Sequence, residues 1–217
     1  MIIVFEGIDG SGKTTQTDLL IQRLKKEQKP VETLDFPQYS KNFFGALVKK
    51  FLKGEFGTLE NVDPHVASLL YALDRWESKK ILDRWLKQKK IIVLNRYTTS
   101  NILHQTAKLP PAKHNSFISF VEKMEYEIFG LPRPDAVLYL SVPVRYAVAL
   151  IEKRGYPKDI AEKNITHLKK SKKVGEKISK THVNWHSVPC IKKGVLLKKE
   201  TIAKYIWDII KPKLRKC

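Results

Sequence analysis

Gly7-Ile8-Asp9-Gly10-Ser11-Gly12-Lys13-Thr14 is the stretch on which the reading of this 217-residue chain turns. An apolar run, Ile2-Ile3-Val4-Phe5, precedes it and reads as a short buried strand. A helical pattern with Leu19, Leu20 and Leu24 on one face follows it. Glycines let the backbone curl so that successive N–H groups point at one phosphate, and the next helix adds its positive end. In such a G-x-x-x-x-G-K-T loop Lys13 reaches the β/γ-phosphates and the Thr14 hydroxyl ligates Mg²⁺. A phosphate-binding loop between a strand and a helix is therefore expected here.

Working outward, apolar runs alternate with helical patterns. Strands are expected over 31–34, 91–94, 136–140 and 185–188 besides 2–5. Helices are expected over 43–52, 117–129, 144–154 and 199–210, with a basic helical region after Pro157 to about Thr181. Asp63-Pro64 is a helix start, Asp as N-cap and Pro at N1, and the apolar period then continues to about Lys90 as one long helix. Strands spaced by helices imply an α/β, three-layer P-loop fold, with a mostly parallel five-stranded sheet covered by helices on both faces. One domain over 1–217 is expected, with ligands at the carboxyl ends of the strands.

The residues just past those strands are the candidates for chemistry. Asp9 inside the loop either faces a cation or a substrate hydroxyl, or is simply a turn-former. Phe36, Pro37 and Tyr39 offer aromatic surface for a flat base, with core packing as the plainer reading of Phe36. Tyr71 and Arg75 share a helix face at i, i+4, either for an aromatic monophosphate or as a packing pair. Arg96 at a strand end suits a phosphate. Lys153, Arg154 and Lys158, bounded by Asp159 and Glu162, form a basic turn that suits a lid near 153–163, or else a solvated loop.

The net charge of +19 raises nucleic acid as a partner, yet 33 of the 41 basic residues are Lys and they scatter through every expected helix. Base readout and bidentate phosphate clamps favour Arg, so no specific nucleic-acid partner is expected. No apolar run approaches the ~20 residues that span a bilayer, so no membrane association is expected either. The chain starts on its first strand, and a signal peptide is not expected. Two cysteines, Cys190 and Cys217, fit a reducing, cytoplasmic setting. His182-x-x-x-His186 has zinc-like spacing without a convincing partner set.

Together these stations resemble the thymidylate kinase family of P-loop nucleoside-monophosphate kinases, over almost the whole chain. Phe5-Glu6-Gly7-Ile8-Asp9 through Lys13-Thr14-Thr15-Gln16 is similar to the family's F-E-G-x-D-x-x-G-K-[ST]-T-Q opening. Asp35-Phe36-Pro37, Leu69 to Glu77, Asn95-Arg96-Tyr97 with Ser100-Asn101, and Leu131-Pro132-x-Pro134-Asp135 follow in the family's order and spacing. The resemblance implies Mg²⁺-dependent transfer of the ATP γ-phosphoryl group to dTMP. Gly7, Gly10, Ser11, Gly12, Lys13, Thr14 and Thr15 would hold ATP, and Thr14 and Asp9 the metal. Lys13, Asp9, Arg96 and Arg154 would be the catalytic set. Asp9, Phe36, Tyr71, Arg75, Arg96, Ser100, Asn101 and Gln105 would meet dTMP, with Arg75 and Arg96 on its phosphate or the transferring group. A homodimer through the long helices is implied as well.

This chain also departs from the family. Asn95 stands where the family usually has Asp, which removes a charge from the metal's surroundings and predicts a weaker enzyme, or one where Asp9 carries more of the metal's coordination, that Asn95→Asp would speed. One arginine, Arg154, occupies a lid where the pattern would place more, and His186–Cys190 lacks the Asp often found near Pro189. Rival readings are another nucleoside-monophosphate or deoxynucleoside kinase of this fold, a nucleic-acid-stimulated P-loop ATPase, or a relative that binds nucleotide without turnover.

Overall fold

Strand β1 (Ile2–Glu6) sits at the middle of the sheet because all five of its side chains are apolar or internally paired, and all five are buried. The computed structural model describes residues 1–155 and 157–216; Cys217, and Tyr156 within the expected lid, lie outside the described residues. Among the described residues, β2 (Val31–Asp35), β3 (Ile91–Asn95), β1, β4 (Ala136–Ser141) and β5 (Trp185–Pro189) lie side by side in that order. Every neighbouring pair is parallel, with Ile3 facing Val93 on one side and Ala136 on the other. All five expected strands are present, and the sheet is wholly rather than mostly parallel.

Period-2 alternation divides the core into two layers. Ile2, Val4, Ile92, Leu94, Val137 and Tyr139 face one layer with Leu82, Trp85, Phe117, Val174 and Ile178. These come from α4 (Lys79–Lys87), α6 (His114–Glu122) and α9 (Ile165–Thr181). Ile3, Phe5, Val93, Leu138 and Leu140 face the other, with Leu20, Leu24, Ala147, Ile202 and Ile206. Those come from α1 (Lys13–Lys26), α7 (Val144–Lys153) and α10 (Lys199–Ile210). The three-layer arrangement follows from the near-continuously apolar inner strands β3, β1 and β4, which can face no solvent. Asp135 ties the start of the sheet, accepting the Ile2 N–H at 2.6 Å.

The long helix expected from Pro64 to about Lys90 is two helices. Asp63 caps α3 (Pro64–Glu77), accepting the His65 N–H at 2.7 Å, and α4 starts again after Ser78. At Ser78 ψ is −1°, and its N–H bonds the Arg75 carbonyl, the tight closing turn of a helix. The break lets the two helices use different faces. In α4 Leu82 and Trp85 turn inward, whereas in α3 Val66, Leu69 and Trp76 are 61%, 43% and 48% exposed. The inner face of α3 is instead small or polar: Ala67, Ser68, Ala72, Asp74 and Arg75. A side helix, α2 (Phe43–Leu52), packs on α3 through Val48, Phe51 and Leu52.

Two features escaped the periodicity. A hairpin of β6 (Ile191–Lys192) and β7 (Val195–Leu196) turns at Lys193-Gly194, both with positive φ, and is too short to show alternation. The segment after β3 is α5 (Thr98–Ser100) followed by a π-helical turn, Asn101–Gln105. Beyond Pro157 the basic region divides into α8 (Ile160–Lys163) and α9. No helix among the described residues is long and apolar enough to cross a membrane.

Candidate active site

The loop after β1 turns through Gly10 and Gly12, at φ +76° and +86°, and delivers the chain to α1 at Lys13. A Cβ on Gly10 would lie 2.2 Å from the Ala147 carbonyl oxygen, so only glycine fits. Lys13 bends back over the loop and donates to the carbonyls of Gly7 at 3.0 Å and Ile8 at 2.9 Å. Burial first, then the Arg96 cation, lowers its ammonium pKa to about 7, with Asp9 and Glu6 opposing this only in part. A buried cation so placed gains most from an anionic partner.

The other strand ends converge on the same place. A cavity of about 600 Å³ is lined by Asp9, Gly10, Gly12, Lys13, Thr14 and Thr15 at one end. Asp35, Phe36, Tyr39, Tyr71, Arg75, Asn101 and Gln105 line it further along, with Arg96, Ser100, Asn95 and Arg154 between. Every expected site residue lines this cavity except Gly7 and Ser11, which are buried within the loop.

Arg96 is the hub. Its backbone is held at φ +66°, rare for a residue with a Cβ, while its N–H bonds the Phe5 carbonyl at 3.1 Å. Its Nη2 donates to Asp9, and its Nη1 donates to His104 Nε2 at 2.9 Å. An arginine can only donate, so that imidazole nitrogen accepts and His104 is neutral. Burial first, then the Arg96 charge, holds the His104 pKa well below its usual value, in agreement. Burial would raise the Asp9 carboxyl, but Arg96 and Lys13 overcome it and keep Asp9 ionised.

Arg75 behaves differently. Its side chain is 2% exposed and that of Glu125 0%, and the two form a bidentate pair, Nε to Oε2 at 2.6 Å and Nη2 to Oε1 at 2.7 Å. Asn101 joins them, its Nδ2 donating to Glu125 Oε1 at 2.8 Å and to the Ser68 carbonyl at 3.0 Å. Near them the buried Gln105 Oε1 has no partner among the described residues. Phe36 packs at 6.0 Å from the Tyr97 ring, and Tyr71 edge-on at 6.2 Å from Phe51, so both aromatics have packing roles while lining the cavity. Ser100 Oγ donates to Glu6 Oε1 at 2.7 Å.

At the mouth, Arg154 Nη2 bonds both oxygens of Glu162, at 2.8 and 2.9 Å. Glu162 in turn closes a capping box with Asp159 at the start of α8. Burial pushes the Asp159 carboxyl up to about 6, and the neighbouring Asp9 charge adds to this.

Three comparisons bear on what this constellation belongs to. A sequence model of the thymidylate kinase family matches residues 5–200. The chain belongs to the thymidylate kinase family. It is 29% identical to the thymidylate kinase of Mycobacterium tuberculosis over 147 residues, 68% of each chain. It is 33% identical to that of Plasmodium falciparum over 167 residues, covering 77% of this chain and 72% of the relative. In fold it is similar to the thymidylate kinase of Candida albicans, with a TM-score of 0.77 at 24% identity over 98% of this chain and 91% of the other. Membership makes the chain a phosphotransferase acting on a nucleoside monophosphate, with ATP as the family's phosphate donor. None of the comparisons favours a deoxynucleoside kinase or a nucleic-acid-stimulated ATPase.

Within this thymidylate kinase family member, sequence reasoning missed His104, His167 and Glu125. The rings of His104 and His167 lie 5.9 Å apart beside Arg96, and Glu125 fixes Arg75. His104 lay within reach, since it follows Ser100 by one helical turn and therefore shares its face. His167 and Glu125 arrive from distant helical segments and carry no local signal.

Proposed function

We propose that the chain transfers the γ-phosphoryl group of ATP to dTMP, giving dTDP and ADP. The observation that carries this reading is one continuous cavity lined both by the phosphate loop and by Phe36, Tyr71 and the buried Arg75 and Asn101, which Glu125 pairs from behind. A dTMP phosphate oxygen attacks the γ-phosphorus, the bond from that phosphorus to the β–γ bridging oxygen breaks, and ADP departs with that oxygen. The protein's part is alignment and charge stabilisation.

Loop amides at Gly10, Ser11, Gly12, Lys13, Thr14 and Thr15 receive the ATP phosphates, and Lys13 leaves its carbonyl partners for them. Arg96, braced between Asp9 and His104, meets the transferring group. Arg75 has Nε and Nη2 committed to Glu125, which leaves Nη1 for an oxygen of the base edge instead of the phosphate. Gln105, with its unpartnered Oε1, and Asn101 serve the same edge, and Phe36 and Tyr71 frame the ring. Arg154 covers the phosphates from a lid near 153–163 within a single domain.

Mg²⁺ fits the phosphate end. The Thr14 hydroxyl, Asp9 and the partnerless buried Asn95 Oδ1 are the hard oxygen donors it prefers. When bound it neutralises charge on the β- and γ-phosphates.

The exposed Val66, Leu69 and Trp76 on α3 support a homodimer that buries this stripe, and the two cysteines support a reducing, cytoplasmic setting. Sedimentation of a Leu69→Asp variant reads it: a monomer is expected, and an unchanged dimer contradicts it. For the reaction, ADP release measured with dTMP, dUMP, dGMP, dCMP and thymidine as acceptors is the test. Selective turnover of dTMP is expected; preference for another acceptor would move the substrate.

A further inference from the structure

Residue 95 ends β3, the neighbour of the central strand β1, beside the phosphate loop, and it is an amide. Its Nδ2 donates to Thr14 Oγ1 at 3.2 Å, which places it against the hydroxyl that a phosphate-loop kinase turns to its metal. Its Oδ1 is buried and has no partner among the described residues. The arrangement thus offers oxygen donors to a divalent cation, but no net charge from this position.

Asp9 offers an oxygen donor as well, but its charge is already shared with Arg96. One strand over, β2 ends at Asp35, and Asp35 is the register partner of Asn95. Burial raises the Asp35 carboxyl above its usual value, and the adjacent Asn95 amide, which favours the charged form, offsets this in part. Both line the cavity together with Thr14. Among the described residues Asp35 makes no salt bridge, and the Lys41 cation acts on it from beyond ion-pair distance.

We propose that Asp35 supplies the carboxylate charge for the Mg²⁺–nucleotide complex that position 95 lacks, acting from the neighbouring strand. Adjacent strands lie about 4.8 Å apart. A carboxylate displaced by that distance reaches the cation through a bound water, and Mg²⁺ keeps several of its waters in such sites. Outer carboxylates of this kind contribute about tenfold or more to metal affinity. Asp35 is therefore a positioning and charge-supplying residue, and the inference rests on the kinase reading above.

The test uses the full chain and a fluorescent N-methylanthraniloyl-ADP, its affinity measured with Mg²⁺ and again with EDTA. The ratio of the two isolates the metal's contribution from the nucleotide's. In Asp35→Asn the ratio should fall about tenfold, with the affinity in EDTA unchanged. Adding Asn95→Asp to that variant should restore the ratio, because the charge returns one strand away. Asn95→Asp alone should add little, since the charge is already present. A ratio unchanged by Asp35→Asn overturns the inference, as does a double variant that fails to recover. Loss of nucleotide binding even in EDTA, with the unmodified chain, would instead remove the kinase reading on which it depends.

Discussion

Replacing Glu125 by Gln should damage this protein out of proportion to a one-atom change. The substitution keeps the side chain's volume but removes the charge that compensates Arg75, and both side chains are essentially without solvent contact. Three donors now point at that carboxylate: Arg75 Nε at 2.6 Å, Arg75 Nη2 at 2.7 Å and Asn101 Nδ2 at 2.8 Å. A glutamine has one acceptor oxygen there, and its amide would meet at least one donor head-on. Breaking a fully buried pair by removing one partner costs about 3–5 kcal/mol. For a chain of this size each kcal/mol shifts Tm by roughly 2–4 °C, so a fall of roughly 6–20 °C is expected. Differential scanning calorimetry reads it directly.

A second variant separates burial from function. Changing both partners together, Arg75→Met with Glu125→Met, removes the charges in balance and should recover most of the lost Tm. The same double variant should still bind dTMP poorly, as a raised KM, because the base edge has lost its Arg75 Nη1 donor. A single Glu125→Gln variant melting within about 3 °C of the unmodified protein would refute the reasoning, since that is under about 1 kcal/mol.

Two further outcomes follow from the Arg96 and Lys13 surroundings. Lys13, lowered to about 7 mainly by burial, is largely neutral at pH 8 in the free protein, and the ATP phosphates restore its charge. ATP binding at pH 8 should therefore take up close to one proton, read by calorimetry in buffers of different ionisation enthalpy. No buffer dependence there would contradict this. His104→Phe removes the acceptor that holds Arg96 Nη1, and a hydrogen bond to a charged group contributes about 1.5 kcal/mol. A roughly tenfold fall in kcat is expected, and an unchanged kcat would count against the bracing role of His104.

Much of the architecture was legible because it rests on local signals. Strands β1, β3 and β4 are near-continuous apolar runs, and the start of α3 carries its own cap in Asp63-Pro64. Helices α2 and α10 begin and end where the pattern says, since one apolar face decides each of them. The break at Ser78 was not legible, because two apolar stripes on different faces merge into one apparent period. Nor could periodicity say that the stripe of Val66, Leu69 and Trp76 faces outward.

At the site, the sequence placed Lys13, Asp9 and Arg96 correctly at strand ends lining one cavity, since chemistry in this fold gathers there. The expectation of Arg75 on the dTMP phosphate or the transferring group did not include Glu125, fifty residues away in a π-helical turn, Lys123–Ile128. Asn95 looked like a simple loss of charge. Its neighbour across the β2–β3 register became visible only with the sheet order, and it shrinks the gain expected from Asn95→Asp.

The central claim is phosphoryl transfer to a nucleotide and not to water. Phosphorus NMR of the full chain with ATP, Mg²⁺ and dTMP tests it most directly, because it resolves every product. The account predicts that dTDP and ADP appear in equal amounts with no inorganic phosphate beyond the background. ADP accompanied by inorganic phosphate and no dTDP would contradict it.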